Sequence, residues 1–401
     1  MLTGERTGRN SPAGLTLIGP VLIVATIGGR ARAVRVRGMS AAARLTVAGL
    51  RIRAVDVPLT RPIETAVGAV RSAPFVLVDL RTREGVTGSA YLFAYTTAAL
   101  VPLARLVANL EELVRGEAVA PLDLERRLQQ RFRLLGTPGL VGMALAGLDM
   151  AAWDALARAA DLPLAELLGG RVRPVHAYAS LRSTGLDALL AEVEEALELG
   201  FDHLKLKVGH GPLAQDLAAV DAVRLAAGDG VAVLVDYNQA LSVPEAMARA
   251  RALDERGVGW IEEPVLADDL AGAARVAAAA ATPVQLGENW WGPGDVARAL
   301  AAGACDEGML DVMKVGGVTG WLRAAALADT AGMPLSSHTF PEFSAHLLAV
   351  TPTARLLEHL DKAAPILERP ITVERGRVLP PPGPGAGLSW DEVAVHRFLV
   401  E

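Results

Sequence analysis

Residues 200–211 read GFDHLKLKVGHG, an apolar run that carries two lysines two positions apart. Successive side chains of a β-strand point to opposite faces, so Lys205 and Lys207 share one face while Leu204, Leu206 and Val208 share the other. A strand with one buried face ordinarily turns its charged face to water. Whether this one does depends on the runs on either side of it.

Similar runs stand at 175–180 (VHAYAS), 231–236 (VAVLVD), 257–262 (GVGWIE), 283–288 (PVQLGE), 308–313 (GMLDVM) and 334–338 (PLSSH), with LLEHL at 356–360 an eighth. Alanine-rich helical segments lie between most of them. The residues that would end the first seven strands are 180, 207, 236, 262, 288, 311 and 338, giving gaps of 27, 29, 26, 26, 23 and 27. A strand-plus-helix unit repeated at that period predicts a parallel β/α barrel. An open doubly wound sheet shows the same alternation, but no glycine-rich phosphate loop follows any of these strands.

Upstream, residues 45–59, 73–82 and 85–95 alternate as strands, followed by helical periodicity at 97–115, 122–135 and 139–160. Strands followed by helices predict a separate α+β domain. The expected organisation is a leader at 1–44, an α+β capping domain at 45–170, the barrel at 171–370, and a proline-rich segment at 371–401 that returns to the first domain. The leader holds an apolar stretch from Ala13 to Gly29 with arginines crowding its far end. It reads as an appended leader, with Met39 a candidate start, rather than a signal peptide.

A hydrophobic content of 51% with 21% charged residues excludes a disordered chain. A net charge of −6, with no basic run after residue 44, argues against nucleic acid as a partner. No membrane partner is expected. The lone Cys305 can form no internal disulfide and no zinc centre, which points to a reducing, cytoplasmic setting.

Three successive runs end in an acid, at Asp236, Glu262 and Glu288, 26 residues apart each time. Barrel strands present functional groups at their C-terminal ends, so the three carboxylates would stand at one height on neighbouring strands. Gathering three negative charges is costly unless a cation joins them, and an all-oxygen donor set favours a hard divalent ion such as Mg²⁺. A single acid commonly caps the following helix instead; three at equal spacing weigh against that. The even spacing also selects Glu262 over Glu263. In a barrel the leucine face of 203–208 packs on the outer helices, and Lys205 and Lys207 point into the mouth. Each ammonium would then lower the other's pKa, leaving one able to accept a proton. Across the barrel, Asp311 and His338 end neighbouring strands, so the carboxylate would fix the imidazole tautomer.

At these residues the chain resembles the mandelate racemase/muconate lactonizing enzyme family of the enolase superfamily, from about residue 45 to the C-terminus. The motifs are KLK (205–207), VDYNQ (235–239), WIEEP (260–264), GENW (287–290), DVMKVGGVTGW (311–321), SSH (336–338) and SAHLLAVTPTARLLE (344–358). The resemblance implies an α/β fold, a modified (β/α)7β TIM-type barrel under an α+β capping domain. It implies Mg²⁺ on Asp236, Glu262 and Glu288, with Lys207 and His338 as bases on opposite faces of the substrate and Asp311 orienting His338. Lys205 would contact the substrate carboxylate and Glu358 would hydrogen-bond its other oxygen. Asn238 and Ser180 match polar substrate contacts, and Val67, Val70, Phe93 and Tyr95 match an apolar cover. Thr339, Leu181, Pro341 and Phe343 depart from the family's pattern, which bears on the side group of the substrate.

The expected reaction is racemisation of an aryl 2-hydroxy acid through an enediolate, by an isomerase with a small-molecule carboxylate substrate and a homo-oligomeric assembly. Acid-sugar dehydration is the alternative, with His338 as the acid. A sugar acid needs several hydrogen-bonding partners in the pocket, and the four cover residues offer mainly apolar surface.

Overall fold

The structure, a computed structural model, describes residues 22–27, 30–35, 44–65 and 68–400. The other leader positions, Met39 among them, and Val67 lie outside the described residues. The chain forms two units, Met1–Arg44 and Leu45–Glu401. The first contains an antiparallel hairpin of β1 (Leu22–Ile27) and β2 (Arg30–Arg35).

The second unit begins with an antiparallel sheet in the order β3 (Val47–Thr65), β4 (Gly68–Thr82) and β5 (Thr87–Phe93). Its apolar face packs on the helix Leu140–Ala159, which is buried along most of its length. The approach is close enough to require glycine. A Cβ at Gly88 would lie 2.0 Å from the Ala151 carbonyl oxygen. Asp154 of that helix, fully buried, accepts from Ser89 N at 2.7 Å and Ala386 N at 2.6 Å. It thereby ties sheet, helix and C-terminal loop together.

Eight parallel strands follow: β6 (Val175–Ser180), β7 (His203–Lys207), β8 (Ala232–Asp236), β9 (Ile261–Glu262), β10 (Val284–Leu286), β11 (Glu307–Asp311), β12 (Leu335–His338) and β13 (Ala354–His359). Each pairs with the next, and β13 pairs back to β6, which closes the barrel. Seven long helices connect them, from Leu186–Glu198 to Pro341–Val350. The sequence periodicity is thus a (β/α)7β barrel. Alternation sorts the side chains: Leu204, Leu206, Val233 and Val235 are fully buried toward the helices. Tyr178, Leu234, Trp260, Met309 and Leu356 form a separate apolar layer inside the ring.

The short hairpin of β14 (Val373–Glu374) and β15 (Arg377–Val378) continues the sheet at the start of β6. The chain then returns to the capping sheet. Val400 N donates to Ala54 O, and Asp56 N donates to Phe398 O, each at 2.9 Å. Trp390 Nε1 donates to Asp79 Oδ1 at 2.8 Å, beside the buried Arg53–Asp79 ion pair.

Candidate active site

Register builds the barrel rim. Lys207 stands opposite Asp236, Asp236 opposite Glu262, and Asp311 opposite His338, so these side chains share one level on adjacent strands. Glu288 arrives by a different route. Its strand stops at Leu286, two residues earlier than the expected end, and Gln285 is the residue paired with Glu262. Simple alternation would therefore send residue 288 toward the helices. Gly287, at φ +131°, breaks the alternation and turns Glu288 back over the mouth. A Cβ at this position would lie 2.5 Å from the Met309 carbonyl oxygen, so the turn depends on glycine.

Carboxylate oxygens of Asp236, Glu262 and Glu288 lie within 4.8 Å of one another. Glu263 stands outside this group, with Asn289 Nδ2 donating to both of its oxygens at 2.9 and 2.8 Å. Burial pushes the Glu262 carboxyl well above the ordinary range, and the Asp236 charge adds to the effect. Burial acts on Asp236 too, but Lys207 and Lys205 outweigh it and hold that carboxyl low. Two adjacent buried acids that cannot both ionise mark a site short of positive charge. The donor set is all oxygen, which fits a hard divalent cation.

The two lysines are drawn into this negative field. Lys205 Nζ lies 2.9 Å from Glu262 Oε1, 3.0 Å from Glu358 Oε1 and 3.6 Å from Asp236 Oδ2. Lys207 Nζ lies 2.6 Å from Asp236 Oδ2. Burial pushes both ammonium groups down in pKa, but Glu262 and Glu358 at Lys205, and Asp236 at Lys207, raise them above their ordinary value. With no cation on the three acids, the effect of the two lysines on each other is outweighed. Lys205 does lower Lys207, by less than Asp236 raises it.

His338 Nδ1 lies 2.7 Å from Asp311 Oδ2, and its Nε2 lies 3.4 Å from Glu288 Oε2. Asp311 Oδ1 accepts from Met313 N at 2.8 Å and Lys314 N at 3.1 Å. The carboxylate can only accept, so Nδ1 carries a proton and Nε2 is the nitrogen left to face the mouth. Glu358 Oε2 accepts from Thr339 N at 2.9 Å. Burial opposes its ionisation, but Lys205 and His338 hold it well below the usual carboxylate range.

Above the rim, a cavity of about 500 Å³ lies between barrel and capping sheet. Lys207, His338, Glu288, Glu358, Ser180 and Asn238 line its floor, and Ile63, Val70, Phe93 and Tyr95 its upper wall. Asn238 Nδ2 also donates to Asp236 Oδ2 at 3.1 Å. Tyr95, Asn238, Gln239, Glu263, Thr339 and Phe340 all have positive φ. Such strain in non-glycine residues concentrates at working sites.

Residues 47–169 match the N-terminal domain of the mandelate racemase/muconate lactonizing enzymes, and residues 188–394 match the enolase C-terminal domain-like model. The chain belongs to the mandelate racemase/muconate lactonizing enzyme family of the enolase superfamily. An enolase from Bradyrhizobium, solved with magnesium and mandelic acid, is 46% identical with a TM-score of 0.85, over 90% of this chain and 100% of that one. The L-talarate/galactarate dehydratase of Salmonella typhimurium is 30% identical over 348 residues, 84% of this chain and 87% of that protein. The 3,6-anhydro-alpha-L-galactonate cycloisomerase of Streptomyces coelicolor is 30% identical over 86% of this chain and 97% of its own length.

The members of this family named above differ in chemistry, so the lining of the cavity matters. It is less apolar here than Val70, Phe93 and Tyr95 suggest. Lys362 Nζ lies 4.1 Å from the Phe93 ring centroid, and Lys314 Nζ lies 4.5 Å from that of Tyr95. The sequence reading missed both lysines, together with Asn289, Trp291 and Met143, which also line the cavity. Lys314 and Lys362 follow Asp311 and Glu358 by three and four residues. Both lie in turns just past their strands, where the repeat gives a side chain no direction.

Proposed function

We propose that the enzyme removes the proton next to a carboxylate and returns it on the opposite face, racemising a 2-hydroxy acid with an aromatic side group. The observation that carries this reading is the placement of Lys207 and His338. They lie on β7 and β12, three strands apart by the shorter arc, and both line the same cavity. The 46% identical relative with mandelic acid in its structure supports an aryl 2-hydroxy acid as the substrate.

Lys207 Nζ serves one face of the carbon and His338 Nε2 the other. One positioned base contributes about 10²–10⁴-fold, whereas enzymes commonly lower barriers by about 8–23 kcal/mol. The negative charge delivered to the substrate carboxylate must therefore be stabilised as it develops. Lys205 would donate to one carboxylate oxygen. Glu358 would meet the other, and a substrate anion set against it raises its pKa, so that it takes a proton and becomes the donor. Mg²⁺ on Asp236, Glu262 and Glu288 would offset most of the charge of the three acids, weaken the field that holds the lysines charged, and supply Lewis acidity to the carboxylate. The solved relative containing magnesium supports that assignment.

Acid-sugar dehydration is a second reading, favoured by Lys314 and Lys362 in the cavity wall and by the dehydratase relative. The deciding experiment follows each enantiomer of mandelate with enzyme and Mg²⁺ in D₂O, by optical rotation and α-deuteration. Racemisation with deuterium incorporation, abolished by chelator and restored by Mg²⁺, is expected. Loss of water from galactarate without exchange on either mandelate enantiomer would select dehydration.

A further inference from the structure

The four lysines of the cavity region are not equally provided for. Lys205 has three carboxylates around it, Lys207 has Asp236, and Lys314 Nζ donates to Asn289 Oδ1 at 2.6 Å. Among the described residues, Lys362 Nζ has no hydrogen-bond acceptor and no carboxylate within 4 Å. The residue is only 8% exposed and lines the cavity. The Phe93 ring is its near contact, with Glu358, Asp311 and Glu288 acting on it only from beyond 4 Å, and a ring face is a weak substitute for water around a buried ammonium. A long cation on a protein surface normally directs its head to bulk solvent. This one directs it into the space between capping sheet and barrel, beside the wall where the side group of a substrate would lie.

We infer that Lys362 is a second anion-recognition point of the cavity, pairing with a carboxylate-class oxygen on the side group of the substrate. The substrate is then a dianion: one carboxylate meets the reacting end and Lys205, and the other meets Lys362 under Phe93. This rests on the reading of the cavity as a 2-hydroxy acid site and narrows the substrate class within it. Burial pushes the Lys362 ammonium down to about 8, with Glu358 pulling the other way, so it is mostly charged at neutral pH. A charge-assisted bond to a buried ammonium is strong, so the pairing discriminates sharply between substrates with and without the second anion.

The test uses 2-oxo acid probes, which have no α-hydrogen to lose, so their binding is measured whether or not racemisation occurs. Benzoylformate and its 3- and 4-carboxy derivatives are titrated calorimetrically into the Mg²⁺-loaded enzyme. At least one carboxylated probe should bind about tenfold or more tighter than benzoylformate. In Lys362→Met that ratio should fall close to one, and Lys362→Arg should retain it. Equal affinity for all three probes in the wild type would overturn the assignment, whatever the fate of the variants. So would a preference that survives Lys362→Met. Absence of α-deuteration of mandelate would count against the proton-transfer reading and leave this ratio to be judged on its own.

Discussion

Asp311 and His338 face each other across the β11–β12 pair, with Asp311 Oδ2 2.7 Å from His338 Nδ1. The other Asp311 oxygen is pinned by the backbone N–H groups of residues 313 and 314. An asparagine at 311 would keep its carbonyl on those donors and turn its NH₂ toward Nδ1. The imidazole would then carry its proton on Nε2, where the free lone pair is needed. Asp311→Asn should therefore lower kcat for proton removal by His338 by about 10²–10⁴-fold with little change in KM. Steady-state rates measured from each enantiomer separately check this, since the direction that starts at Lys207 should retain its α-exchange.

Truncating the bases themselves gives a stereochemical readout. Lys207→Ala and His338→Asn should each abolish racemisation while exchanging the α-hydrogen of opposite enantiomers. Proton NMR in D₂O reads both variants against both enantiomers. Exchange of the same enantiomer by both would contradict bases on opposite faces.

Gly287 offers a test of the metal site that leaves every candidate ligand in place. Because a Cβ would lie 2.5 Å from the Met309 carbonyl oxygen, Gly287→Ala must shift the turn that aims Glu288. Mg²⁺ affinity, measured by calorimetry, should fall by about tenfold or more. Far-UV circular dichroism should stay native, because the change falls outside the paired residues of β10.

The barrel also carries a pH-dependent element away from the site. His346, fully buried on the helix Pro341–Val350, accepts from Ala165 N at 3.2 Å through Nδ1. Burial pushes it down to about 4 from 6.5. Between those values the unfolded chain binds a proton that the folded chain does not, so stability is lost as pH falls from 6.5 to 4. The shift corresponds to about 3 kcal/mol. In His346→Gln, urea unfolding at a series of pH values should show an acid slope reduced by up to one proton.

Most of the barrel was legible because two periods act together. Alternation along each strand and the repeat between strands both locate the ends at Ser180, Lys207, Asp236, Glu262, Asp311 and His338. Glu288 shows where that reasoning stops: it reaches the rim through a glycine turn, and neither period encodes the turn. Lys314 and Lys362 lie in loops beyond the strands, where no periodicity places a side chain. The charge state of the lysines was illegible for another reason. Lys205 is governed by Glu262 and Glu358, 57 and 153 positions along the chain, and only closure of the ring puts them within 3 Å.

The pairing of residues 398–400 with Ala54 and Asp56 has a consequence for how the molecule is made. The first strand of the capping sheet is synthesised early, yet its edge waits for a partner some 340 residues later. Contacts of such long sequence separation form late and slowly. During translation that strand edge therefore stays without this partner until every barrel strand has emerged.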